Sequence, residues 1–215
     1  MSEWWTYTLS DFIMFSPRTY ARLLMQVNRD AWPAQPVLLA FGVAGLSAAW
    51  RRPAFGPALF TAALAGAWAC TGADFLARRY AQIFTGAPWA AWAFGVQALL
   101  LGGMAWQLAG RQVRLRRWPG LAAAAAWAFY PLLAPVTGRT WPEAEIAVLF
   151  PDPTAIVTLF WLAALPMSRP HAAACALVPL LWCGLSSATL HLLQVPLAAV
   201  PIVAAGAACL SIARR

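Results

Sequence analysis

Three of the chain's seven acids, Glu143, Glu145 and Asp152, lie close together in the run Trp141-Pro142-Glu143-Ala144-Glu145 and Phe150-Pro151-Asp152-Pro153-Thr154. Carboxylates gathered in this way form an acid/base pool, or hold a cation or a basic partner. Asp152 is the sharpest of them, because two prolines break the helix around it and the flanking residues are apolar. A carboxylate at a helix break inside a bilayer marks substrate sites in many transporters. It would pair there with an arginine from its own side of the membrane, and Arg139, Arg79 and Arg78 are the candidates. The local alternative is that Asp152 caps a helix whose first residue is Pro153. His191 follows Ser186, Ser187 and Thr189 in an apolar helix; hydrogen bonding between helices is one use for this stripe, and a proton relay with Asp152 is another. The candidate substrate-binding set is Asp152, Arg139, Arg79, Arg18, His191 and Glu143, with no catalytic residue assigned.

Other chemistry is excluded by composition. All fifteen basic residues are arginine, so lysine Schiff-base chemistry is ruled out. Cys70, Cys175, Cys183 and Cys209 sit singly in apolar stretches and read as small buried hydrophobes. No zinc motif, Walker motif, GxSxG or CxxC occurs, and neither a metal nor a cofactor is expected. His171 follows Arg169-Pro170 in a loop and reads as solvated. The N-terminus, Met1-Ser2-Glu3-Trp4-Trp5, lacks the basic start of a signal peptide.

The elements that must position these groups are membrane helices. The chain of 215 residues is 62% hydrophobic and 10% charged, whereas a soluble domain carries roughly 25% charged residues. A spanning helix needs about 20 mostly apolar residues, and seven stretches qualify: 36–50, 55–73, 88–109, 119–136, 146–167, 172–193 and 195–212. The fifth is interrupted at Pro151-Asp152-Pro153, so a re-entrant fifth segment would leave six. Before them, Ser16-Pro17 starts a helix on which Arg18, Arg22 and Arg29 share one face and Tyr20, Leu23, Leu24 and Val27 the other. The pattern predicts an amphipathic helix lying on the membrane surface. Residues 74–85 form a smaller amphipathic segment, with Asp74 and Arg78 spaced to pair. The fold class is therefore all-α: a polytopic transmembrane helical bundle of about seven spans (36–215) preceded by an extracytoplasmic amphipathic segment (1–35). Gly42, Gly45 and Gly102-Gly103 permit close helix approach.

Alternating the loops between two sides sorts the charges. One side receives Arg51, Arg52, Arg111, Arg114, Arg116, Arg117, Arg169, Arg214 and Arg215 and no acid. The other receives Arg18, Arg22, Arg29, Arg78, Arg79 and Arg139 with Glu3, Asp11, Asp30, Asp74, Glu143, Glu145 and Asp152. Cytoplasmic loops carry the arginine excess, which puts the N-terminus outside and the C-terminus in the cytoplasm. Trp32, Trp89, Trp92 and Trp141 near one set of helix ends, and Trp50, Trp106 and Trp118 near the other, fit interfacial belts. The lipid bilayer is the expected partner, with a homo-oligomer or a larger membrane complex beside it; the arginines sit in short clusters between apolar runs, where topology signals belong, so no nucleic-acid partner is expected.

Trp5-Thr6-Tyr7-Thr8-Leu9-Ser10-Asp11-Phe12, Phe15-Ser16-Pro17-Arg18-Thr19-Tyr20, Asn28-Arg29 and Trp32-Pro33 together resemble a family of bacterial inner-membrane proteins known only as a domain of unknown function. Arg79-Tyr80, Tyr130-Pro131-Leu132-Leu133, Gly138, Trp141-Pro142 and Pro151-Asp152-Pro153-Thr154 extend the resemblance along the chain. It implies a multi-pass protein of the bacterial inner membrane. Some members carry a loose permease label, and the family transfers no catalytic residue.

Three functions are open at this level. A small-solute or ion permease with its site in the outer half around Asp152 accounts for the broken helix. A structural or accessory subunit of a larger membrane complex accounts for the lack of a catalytic signature. A membrane-embedded enzyme or lipid binder would use the outer-face acids and arginines. A polar cavity at Asp152 favours transport; a cleft lined by Arg18, Arg79 and the acids favours the enzyme; the lack of either favours the subunit.

Overall fold

The computed structural model describes residues 14–214, which are helical without any strand. The motif at 5–12 and the acids Glu3 and Asp11 lie outside the described residues. Helix α1 (Pro17–Ala31) starts where Ser16 Oγ accepts the Thr19 N–H at 3.2 Å, with Pro17 in the first turn. Arg18, Arg22 and Arg29 are exposed, and Tyr20, Leu23, Leu24 and Val27 are buried. Those buried residues join the core shared with the other helices, so protein rather than lipid covers the apolar face of α1. Periodicity shows that a face is covered; it does not show by what.

The chain bends by 82° between α1 and α2 (Ala34–Arg51). Helix α3 (Gly56–Cys70) runs on without a break through a π-helical stretch, Thr71–Arg79, and a 3-10 turn, Tyr80–Gln82. Residues 74–82 are thus the wide-wound end of α3, not a separate surface helix. There follow α4 (Ala87–Leu108) and α5 (Arg117–Phe129), the latter tightening to 3-10 at Tyr130–Leu132, around Pro131, before α6 (Leu133–Val136). A 3-10 turn at Trp141–Glu143 leads to α7 (Pro151–Ala164), and then come α8 (Arg169–Leu192) and α9 (Ala199–Ala213).

Among the described residues, four helices are long and apolar enough to cross a membrane: Gly56–Gln82, Ala87–Leu108, Arg117–Val136 and Arg169–Leu192; the bent pair α1–α2 would make a fifth. The expected count of seven is larger. The difference lies chiefly in α7 and α9, whose 14 and 15 residues rise only about 21 and 22 Å, against a hydrocarbon core of about 30 Å.

Helix α7 is the centre of the bundle: every residue but Phe160 is buried. It is tied to α3 by reciprocal hydroxyl–indole bonds. Trp68 Nε1 donates to Thr158 Oγ1 at 2.8 Å and Trp161 Nε1 donates to Thr61 Oγ1 at 2.9 Å. Both hydroxyls donate in turn to carbonyls of their own helices, those of Thr154 and Pro57. Every buried polar group in this exchange is satisfied, as a low-dielectric interior requires. Helix α2 reaches α5 through Gly42, where a Cβ would overlap the ring of Trp127; Gly102 and Gly103, by contrast, face open space.

Hydrogen bonds between connections define two ends. At one, the Val113 N–H donates to Pro53 O at 2.9 Å, and Arg116 binds the Ala164 carbonyl at the end of α7 and, through Nη1, the Ser211 carbonyl of α9 at 2.6 Å. At the other, α1, the end of α3 and residues 137–150 meet: Asn28 Nδ2 donates to the Pro142 and Ala144 carbonyls, both at 2.8 Å, and Arg79 bonds Asp30 at 2.6 Å.

Candidate functional site

The functional candidates gather at the second end, where α7 begins. The connection before it is irregular and buried. Val148 adopts a left-handed conformation (φ 82°). Its N–H donates to Thr154 Oγ1 at 2.9 Å and its carbonyl accepts from Thr71 Oγ1 at 2.7 Å. The Thr154 hydroxyl closes the turn by donating to Phe150 O at 2.7 Å. Irregular backbone is tolerated away from water only when packed and paired in this way.

Phe150 occupies the N-cap position of α7, which places Asp152 within the first turn. The capping reading of Asp152 is therefore corrected: its side chain crosses to α8. Oδ1 accepts Trp182 Nε1–H at 2.7 Å, Oδ2 accepts the Ser186 hydroxyl at 2.7 Å, and the residue is 1% exposed. A carboxylate in a helix's first turn also lies at the positive end of its dipole. The direct arginine partner expected for Asp152 is replaced by these two neutral donors. Trp182 and Ser186 stand four apart on α8, one helical turn, so they present adjacent donors to one point. Beside them is a small cavity of about 20 Å³, with Tyr20, Tyr80, Ser186 and Thr189 in its wall. That volume accommodates about one water molecule.

A buried ion pair lies close by. Arg139 Nη1 and Nη2 donate to Glu145 Oε1 at 3.1 and 3.0 Å, and Nη2 also donates to Glu143 O at 3.2 Å. The side chains are 11% and 2% exposed. Burial pushes the Glu145 carboxyl up to about 7, and the charge of Asp152 adds to this, while Arg139 opposes it. The same charges act on the ring hydroxyls of Tyr20 and Tyr130, so Tyr20, Tyr130, Arg139, Glu145 and Asp152 form one electrostatic group. Tyr130 Oη, Arg139 Nε and Glu145 Oε2 are buried with no hydrogen-bond partner.

Of the candidates named from sequence, Asp152, Arg139 and Glu145 belong to this group. Glu143 lies at its edge, where its carboxylate accepts from Thr140 Oγ1 at 2.7 Å. Arg79 is held elsewhere, by Asp74 at 2.9 Å and by Asp30. Arg18 is exposed on α1, and His191 is exposed at the end of α8. The expected Asp74–Arg78 pair is present at 3.4 Å on the surface. Sequence reasoning missed Trp182, Tyr20, Tyr130 and Asn28. For Trp182 a signal existed: an indole one turn from a serine in an apolar helix. Among the described residues, no group of three or more His, Cys, Asp or Glu side chains is placed to hold a metal ion.

No curated protein and no solved structure matches the chain. A family model does, over residues 18–215, and on that match the chain belongs to a family of unknown function, DUF6064.

Proposed function

We propose that this multi-pass protein is an ion permease of the bacterial inner membrane, restricted to protons or a water-sized cation, with Asp152 as the group that carries the charge. The observation behind the proposal is a carboxylate buried among apolar helices whose two neutral donors, Trp182 and Ser186, border a cavity large enough for about one water. A larger solute has no room there. The two carboxylate oxygens have different capacities. An indole only donates, so Oδ1 remains an acceptor; a hydroxyl donates or accepts, so a proton arriving on Oδ2 needs only rotation of the Ser186 hydroxyl. Arg139 supplies a positive charge that acts on this carboxylate.

In this reading α7 and α9 count as passes, because Arg116 joins the ends of both to the α4–α5 connection. The chain then runs seven times between the two ends. The arginine-rich end is cytoplasmic and the acid-bearing end, with the N-terminus, is outside. α1 rests at the outer surface with its arginines towards the headgroups.

The test is proton flux into proteoliposomes containing a pH-sensitive dye. Wild-type protein should dissipate an imposed pH gradient faster than empty vesicles, Asp152→Asn should lose the excess flux while eluting as a folded species, and Ser186→Ala should reduce it. Flux equal to that of empty vesicles, or unchanged in Asp152→Asn, would sink the proposal. A second reading, an accessory subunit of a membrane complex, draws on the same bonds as a structural clamp between α7 and α8; it predicts that Asp152→Asn fails to fold. The enzyme reading needs Arg18 and Arg79 in a shared cleft, whereas Arg18 is exposed and Arg79 is paired with Asp30 and Asp74.

A further inference from the structure

The opposite, arginine-rich end holds a different kind of cavity. It measures about 220 Å³ and lies between the last turn of α4, the 165–168 connection and the first turn of α8. Its polar wall is formed by Gln107, Arg111, Ser168 and His171; Met104, Leu108, Leu165 and Met167 form the apolar part. The imidazole is oriented by its own loop, with Nδ1 2.7 Å from Ser168 Oγ. That bond leaves Nε2 as the ring nitrogen available to a ligand. The Ser168 hydroxyl makes no capping bond to the first turn of α8, and the positive end of this 24-residue helix opens at the same place. A guanidinium, an imidazole and a helix N-terminus around one cavity are the chemistry that recognises a phosphate.

The position of the cavity identifies the source of that phosphate. It lies where two of the membrane-crossing helices, Ala87–Leu108 and Arg169–Leu192, end together. Trp106, 84% exposed, sits in the last turn of α4, as interfacial aromatics do. A headgroup at this depth would place its phosphate at Arg111 and His171 and its acyl chains along the apolar wall. Basic pockets between membrane helices bind anionic headgroups in this way. We infer that this cavity is a binding site for the headgroup of an anionic phospholipid, held by Arg111 and His171.

The inference is independent of any role of Asp152. It is tested on purified full-length protein in mixed micelles, by following thermal unfolding while dioleoylphosphatidylglycerol or dioleoylphosphatidylcholine is added. Phosphatidylglycerol at ~100-fold above its dissociation constant should raise the midpoint by about 5 °C or more, and phosphatidylcholine should not. Arg111→Ala with His171→Ala should lose most of that shift. Arg51→Ala with Arg52→Ala, which removes charge from the same end outside the cavity, should retain it. If the cavity variant is too unstable to purify, Gln107→Trp, which fills the space without removing charge, should lessen the shift instead. Equal shifts with both lipids, or equal losses in the cavity and control variants, would overturn the assignment. So would a full shift with inorganic phosphate or glycerol 3-phosphate in lipid-free detergent, which would make the ligand a free phosphate.

Discussion

The carboxylates at the acid-bearing end differ in what holds them. Asp152 has two neutral donors, one to each oxygen; Glu145 has an arginine on one oxygen and no partner on the other. Burial raises the Glu145 carboxyl from 4.5 to about 7. Below about pH 4.5 the folded and unfolded chains both hold this proton, and its contribution to stability is fully present. Between there and about 7 the folded protein keeps a proton that the unfolded chain releases, so the contribution is lost as pH rises. The loss is at most about 3 kcal/mol. Unfolding of detergent-solubilised protein should therefore show a midpoint that falls from pH 5 to pH 8 (roughly the range of this titration). Glu145→Gln keeps an oxygen acceptor for Arg139 and should flatten that slope. An unchanged slope would show that other groups set the pH dependence.

At the scale of elements, helix contacts depend on whether a small residue faces a neighbour. Gly42 lies under the Trp127 ring, and Gly102 faces open space. Gly42→Ala should destabilise the protein by about 1–3 kcal/mol, because α2 and α5 must move apart or the indole must leave its position. Trp127→Leu should recover part of that loss in the double variant. Gly102→Ala should be neutral or stabilising by up to about 1 kcal/mol, since it removes backbone freedom without a clash. Denaturant unfolding followed by tryptophan emission gives both values. Equal effects at the two glycines would remove the packing argument. The same contrast limits what periodicity says of α1: its stripe of Tyr20, Leu23, Leu24 and Val27 is apolar whether lipid or protein covers it, and here protein does.

At the scale of the whole molecule, the topology is open to a direct experiment. Single cysteines at positions 114 and 143, in a chain from which the four native cysteines have been removed, should separate cleanly. A membrane-impermeant maleimide should modify position 143 in intact cells and position 114 only after lysis. The reverse pattern would invert the protein, and modification of both from outside would break the assignment of ends. In the inverted protein Asp152 would face the cytoplasm, and the cavity lined by Arg111 and His171 the outer leaflet.

The sequence by itself determined the all-helical, apolar character of this protein, the start of α1 at Ser16-Pro17, and the sorting of charge along the chain. These are local properties: side-chain hydropathy over a span, a serine before a proline, an arginine cluster between apolar runs. It also pointed to the Pro151–Thr154 break, because two prolines interrupt any helix. It could not decide what each group touches. Whether Asp152 caps its own helix, pairs with an arginine or crosses to Trp182 and Ser186 depends on how α8 lies against α7, and spacing along one helix carries no record of its neighbour. For the same reason Arg139 and Glu145 were each legible as candidates while their pairing was not, and α7 read as one span among seven when it is the buried centre of the bundle. Apolar residues look alike in lipid and in protein, so only the tertiary structure separated the two.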